Sequence, residues 1–107
     1  MIYDFMRVLL FFDLPTITKK DRKIYNDFRK LLIKNGYMMI QFSVYSKICN
    51  NRDAATKHID FIKQKVPRKG HIRIMMITEK QYSKMKIIIG GRTNQESILT
   101  IEPFISL

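Results

Sequence analysis

The sequence predicts an α+β sandwich, an antiparallel sheet with two helices on one of its faces. Three observations predict it. Short apolar runs bounded by turn residues recur along the chain as strands. Two amphipathic stretches of similar length separate the first three runs. The order strand, helix, strand, helix, strand puts both helices in one layer. At 107 residues, 46% of them hydrophobic, the chain can bury one core but not two.

The first strand is carried by Val8 to Phe12, five apolar residues in a row, closed by Asp13, Leu14 and Pro15. A carboxylate at the tip of such a strand is a turn residue, a helix-capping partner or a metal ligand. Thr18 then caps a helix and Asp21 reaches back to it as a capping-box partner. Ile24, Phe28, Leu31 and Leu32 recur at helical spacing, and Asn35-Gly36 stops the helix, giving a span of 19–35. Residues 37–47 alternate with period two, with Met38, Ile40, Phe42 and Val44 on one face and Met39, Gln41, Ser43 and Tyr45 on the other. They form either one long kinked strand or two short ones. A second helix opens at Asn50 or Asn51 with Asp53 in its first turn, carries Ala55, Ile59, Ile62 and Val66 as its apolar stripe, and ends at 67–70. A third strand covers 71–78, residues 79–83 form a turn or short helical connector, and 85–90 (MKIIIG) and 97–101 (SILTI) read as further strands around a polar loop. The whole suits a ferredoxin-like arrangement, with a core domain over 1–96 and a C-terminal strand and tail over 97–107.

Two helices cover only one face of a sheet, and the other face should then alternate apolar with polar. It does not. Leu9 and Phe11 in the first strand, Arg73, Met75 and Ile77 in the third, and Met39 and Tyr45 make a second face that is largely apolar. The simplest cover is the same face of a second copy, an isologous homodimer; the alternative is that the C-terminal segment folds over it. If the first strand lies near the two-fold axis, its tip brings two copies of Asp13 together. Facing carboxylates repel unless one is protonated or a cation lies between them. A hard cation such as Mg²⁺, completed by water, meets that need and activates water against a phosphodiester.

Charge points to the partner. Twenty Lys and Arg against nine Asp and Glu leave a formal net charge of +11, which suits a polyanion such as nucleic acid. Lys19, Lys20, Arg22 and Lys23 cluster at the start of the first helix, and Arg68 with Lys69 forms a second basic corner. These are candidates for sequence-independent phosphate contacts; Arg7 is another, or else marks the strand entrance. No run is long enough to span a bilayer, the N-terminal pattern is not a signal peptide, and a lone Cys49 suits a reducing compartment, so a cytoplasmic protein with no membrane partner is expected. His58 and His71 lack metal-ligand spacing partners, Cys49 lacks a catalytic neighbour, and Ser43 lies inside a strand. No phosphate-binding glycine loop is present, and the RNP pattern of sheet-type RNA-binding modules is absent.

The stretch MRVLLFFDLP, the basic helix after it and the run QFSVYSK together resemble the small CRISPR-associated protein two, a core subunit of CRISPR spacer acquisition. Phe12-Asp13 matches that family's aromatic-aspartate pair, and Gln41, Ser43, Val44 and Tyr45 match its Gln-x-Ser-Val-aromatic stretch. TEKQ at 78–81 further resembles the branch that accompanies single-effector (type II) systems. The resemblance runs from about residue 6 to 101. It implies a ferredoxin-like homodimer that bridges copies of the CRISPR integrase subunit and holds a double-stranded protospacer DNA. It also implies an alternative, a stand-alone Mg²⁺-dependent endonuclease on DNA or single-stranded RNA, with Asp13 as catalytic residue and metal ligand. The edge strand Ile98, Leu99, Thr100 and Ile101 would augment the integrase subunit's fold.

Overall fold

The most apolar strand is an inner one. In the computed structural model, which describes residues 5–91, β1 (Met6–Asp13) lies between β3 (Val44–Cys49) and β4 (His71–Thr78). β2 (Met38–Gln41) pairs with the outer side of β3, so the order is β2-β3-β1-β4 and every pairing is antiparallel. Helix α1 (Lys19–Lys34) connects β1 to β2, and α2 (Arg52–Lys63) connects β3 to β4. This is the ferredoxin-like topology, two split β-α-β units sharing one sheet. A five-residue helix, α3 (Glu79–Ser83), follows β4 directly.

Pleating sends alternate residues of β1 to opposite faces. Met6, Val8, Leu10 and Phe12 join Phe28 and Leu32 of α1 and Ala55 and Ile62 of α2 in one buried cluster. Phe12 anchors it, with ring centroids 5.4 Å from Tyr25 and Phe28 and 5.6 Å from Tyr45. Both helices are capped by their own sequence. Thr18 Oγ1 accepts from Asp21 N–H while Asp21 accepts from Thr18 N–H, and Asn51 Oδ1 accepts from Ala54 N–H.

The structure decides one open alternative and corrects several expectations. Residues 37–47 form two strands joined by a two-residue turn, Phe42-Ser43, with Ser43 at φ 66°. Ser43 is therefore a turn residue rather than a strand residue. Met39 and Tyr45 lie on the helix-covered face, because the ladder sets Tyr45 opposite Leu10 and Met39 opposite Tyr45. Alternation fixes which residues share a face; only the pairing with β1 fixes which face that is. Val66 falls beyond α2 and is exposed. The stretch 85–90 is not a strand: Ile88 and Ile89 stand in solvent, and it pairs with no strand among the described residues. The expected strand 97–101 and tail lie outside the described residues.

Candidate functional site

Asp13 ends β1 on the face opposite the helices. The ladder from Met6 to Asp13 against β4 is unbroken, so Arg7, Leu9, Phe11 and Asp13 alternate onto that face. Pairing adds Val44 and Ile48 from β3 and His71, Arg73, Met75 and Ile77 from β4. Phe11, Arg73 and Met75 are exposed there, as is Asp13 itself. The Asp13 carboxylate makes no hydrogen bond or ion pair among the described residues, and α1 is capped by Thr18 instead. Its backbone is held closely. Gly70, at φ 96°, packs so near that a Cβ there would come within 2.6 Å of the Asp13 carbonyl oxygen and of Leu14 Cδ2. His71 is the direct ladder partner of Asp13, which sequence spacing alone had no means to show.

The other end of the same face is closed by the chain itself. Arg7 is fully buried. Its Nε donates to Glu79 Oε1 at 2.6 Å, Nη2 to Glu79 Oε2 at 3.0 Å, and Nη1 to Ser46 Oγ at 3.0 Å. The guanidinium carbon lies 3.9 Å from the centre of the Tyr82 ring. Arg7 thus belongs to a structural ion pair and is not available to phosphate. The TEKQ run explains itself here: Thr78 caps α3, Gln81 closes the capping box, and Glu79, at the first helical position, reaches Arg7. Apolar surface consequently stays open toward the Asp13 end.

The basic residues fall on the helix side. Lys20 and the Arg68–Lys69 pair, far apart in sequence, line one groove of about 640 Å³ between α1 and the α2–β4 connection. Its apolar floor includes Leu14, Ile24, Phe28 and Leu31, and Lys65 adds a fourth cation that the sequence pattern did not single out. Lys19, Arg22 and Lys23 do not line it. Arg22 Nη1 donates to the carbonyls of Thr16 and Ile17, bracing the β1–α1 loop, and Lys23 pairs with Asp27 at 2.8 Å. That pairing holds the Lys23 ammonium above, and the Asp27 carboxyl below, their ordinary values. Asp21 and Asp27 also line the groove and temper its charge.

The remaining titratable cluster is a packing feature. The His58 ring lies between Tyr37 and Phe61, 5.2 and 5.6 Å from them. Burial, with Cys49 adding to it, pushes the Tyr37 phenol far above its usual range. Burial raises the Cys49 thiol, partly offset by Lys47, and lowers the His58 imidazole, with Lys47 lowering it further. A thiol held protonated is a poor nucleophile. Among the described residues no three His, Cys, Asp or Glu side chains gather as a metal site, and no helix is long and apolar enough to cross a membrane.

The family described as CRISPR associated protein Cas2 matches residues 6–85. Three similar proteins bear the name CRISPR-associated endoribonuclease Cas2. The one from Acidovorax ebreus is 48% identical over 91 residues, 85% of this chain and 89% of that protein. The one from Campylobacter jejuni is 47% identical over 107 residues, 94% of this chain and 75% of the other. The one from Treponema denticola is 52% identical over 88 residues, 79% of this chain and 84% of the other.

Proposed function

This chain belongs to the CRISPR-associated protein Cas2 family, which sets it in CRISPR adaptation at large, and from that premise we propose that it works as a dimeric scaffold. In this role two copies pack through the open sheet face, bridge copies of the integrase subunit, and hold a protospacer DNA duplex by its phosphates. One observation carries the proposal: the face opposite the helices keeps Phe11 and Met75 exposed beside a closed, ion-paired end. Apolar surface so arranged suits a second copy of itself. The net charge of +11, with Lys20, Lys65, Arg68 and Lys69 along one groove, supports the DNA part. The integrase-binding role of Ile98, Leu99, Thr100 and Ile101 rests on the family resemblance alone.

A second reading is a Mg²⁺-dependent endonuclease, and the unpaired, exposed carboxylate of Asp13 favours it. One carboxylate per chain is too few for a closed site, whereas two related by a dimer axis suit a hard cation that keeps several waters. Mg²⁺ bound there would supply an activated water for phosphodiester hydrolysis. The protein's own part is to hold the Asp13 backbone against Gly70 and leave the carboxylate free of other partners. The similar proteins named endoribonucleases lend support to the chemistry.

Light scattering at micromolar concentration should give a two-chain mass, and a monomer would sink the scaffold proposal. Asp13→Asn then separates the two readings. A scaffold keeps DNA binding and spacer acquisition with the integrase subunit after this change, whereas loss of acquisition together with Mg²⁺-dependent cleavage would favour the nuclease.

A further inference from the structure

Where β2 turns into β3, the chain leaves an aromatic ring in water. Phe42 is 78% exposed, the most exposed aromatic side chain among the described residues. It is not on a loose loop. The turn has only two residues, and the second, Ser43, sits at φ 66°, a left-handed conformation that serine seldom takes. The Ser43 carbonyl accepts the Phe12 N–H at 3.1 Å, which ties the turn to the residue just before Asp13. Val44, the next residue, pairs with Phe11 on the open face. The fold therefore holds Phe42 firmly at the same end of the sheet as the Asp13 carboxylate.

We propose that Phe42 is a stacking platform for an unpaired nucleobase of the nucleic acid that this chain binds. The proposal deepens the nucleic-acid reading above and rests on it. Phe42 follows the polar Gln41 and precedes the polar Ser43, and a single exposed ring is far less area than a stable protein interface buries. One base, however, needs only one ring, because every base has a flat π face. The net charge of +11 favours a polyanion over an apolar peptide. Bases inside a duplex already stack on each other, so the ring would select single strands or frayed ends. A base seated there would bring its adjoining phosphodiester to the Asp13 end of the sheet.

The chain contains no tryptophan, so Phe42→Trp creates a single fluorescent reporter at the site. Its emission should be quenched when the full chain is titrated with a short single-stranded oligothymidylate. Phe42→Ala should weaken single-strand binding by about tenfold, the effect of losing one stacked base, and leave blunt-duplex binding unchanged. Phe42→Leu keeps the apolar bulk but not the π face and should behave like Phe42→Ala. An unquenched reporter, or Phe42→Leu and Phe42→Ala binding like the unchanged protein, overturns the stacking role while the nucleic-acid reading stands. Loss of the two-chain mass in Phe42→Ala would assign the ring to a protein interface and overturn it too. If the unchanged protein binds neither strand nor duplex, the nucleic-acid reading falls and takes this proposal with it.

Discussion

Glu79→Ala should be among the most damaging single substitutions in this fold, although Glu79 lies near the surface. It deletes both acceptors of the bidentate contact with Arg7, whose side chain is 0% exposed against 17% for Glu79. What remains for the guanidinium is the Ser46 hydroxyl and the Tyr82 ring. Breaking a buried pair by removing one member costs about 3–5 kcal/mol, because the other charge stays desolvated. Water can enter where the carboxylate was, which sets the expectation near the lower end, about 3 kcal/mol. Arg7→Met should cost less, since the freed carboxylate sits close enough to solvent to rehydrate. The Lys23–Asp27 pair supplies the contrast: both side chains are more than half exposed, so solvent screens the pair and Asp27→Ala should leave the unfolding midpoint nearly unchanged. Urea unfolding followed by far-UV circular dichroism, at one fixed protein concentration, reads all three as shifts in midpoint at constant slope. High salt should erase the Asp27 effect and spare that of Glu79. A Glu79→Ala cost below about 1 kcal/mol, or one equal to that of Asp27→Ala, would refute the idea that α3 is locked to β1 by a desolvated charge pair.

Other perturbations probe the caps, the Asp13 support and the buried imidazole. Thr18→Ala removes the acceptor for the Asp21 N–H and should cost about 1 kcal/mol in the same unfolding assay. Gly70→Ala meets both a left-handed φ and the Asp13 carbonyl, so it should destabilise by more than the roughly 1 kcal/mol of conformation alone and should move the Asp13 amide resonance. His58 has its folded value lowered, so the unfolded chain takes up the proton first as pH falls. Its contribution is complete above about pH 6.5 and is lost as pH falls through the depressed value. His58→Gln should flatten that acid-side loss in thermal melts at stepped pH.

Local signals in the sequence carried most of the architecture. Thr18, Asp21 and Gly36 bound α1 because caps and stops act within a few residues, and the structure has the helix at Lys19–Lys34. Period-two patterning separated Leu9 and Phe11 from Val8 and Leu10 for the same reason. What failed needed long-range information. Tyr45 looked like second-face surface until its partner proved to be Leu10, 45 − 10 = 35 residues nearer the N-terminus, and MKIIIG looked like a strand because propensity cannot report that no described strand pairs with it. Arg7 is the sharpest case. A cation opening an apolar strand reads as surface, and only the fold brings Glu79, Ser46 and Tyr82 around it.

The same distinction bears on the site. Asp13 was legible as a chemical oddity, a carboxylate closing an apolar run, but its meaning depends on which face it takes. Had β1 carried a one-residue bulge, Asp13 would have pointed toward the helices and beside Leu14 and the basic groove, where a lysine would neutralise it. The unbroken ladder to β4 turns it instead to the open face, and its carboxylate forms no ion pair among the described residues. An exposed carboxylate at the rim of an apolar face makes that face costly to cover unless the cover brings a cation or a proton. If two copies pack through this face, self-association and cation binding would be coupled by the position of Asp13. If the two-chain mass proves to depend on divalent cations in the unchanged protein but not in Asp13→Asn, the carboxylate is a charge to be neutralised at the interface before it is anything else.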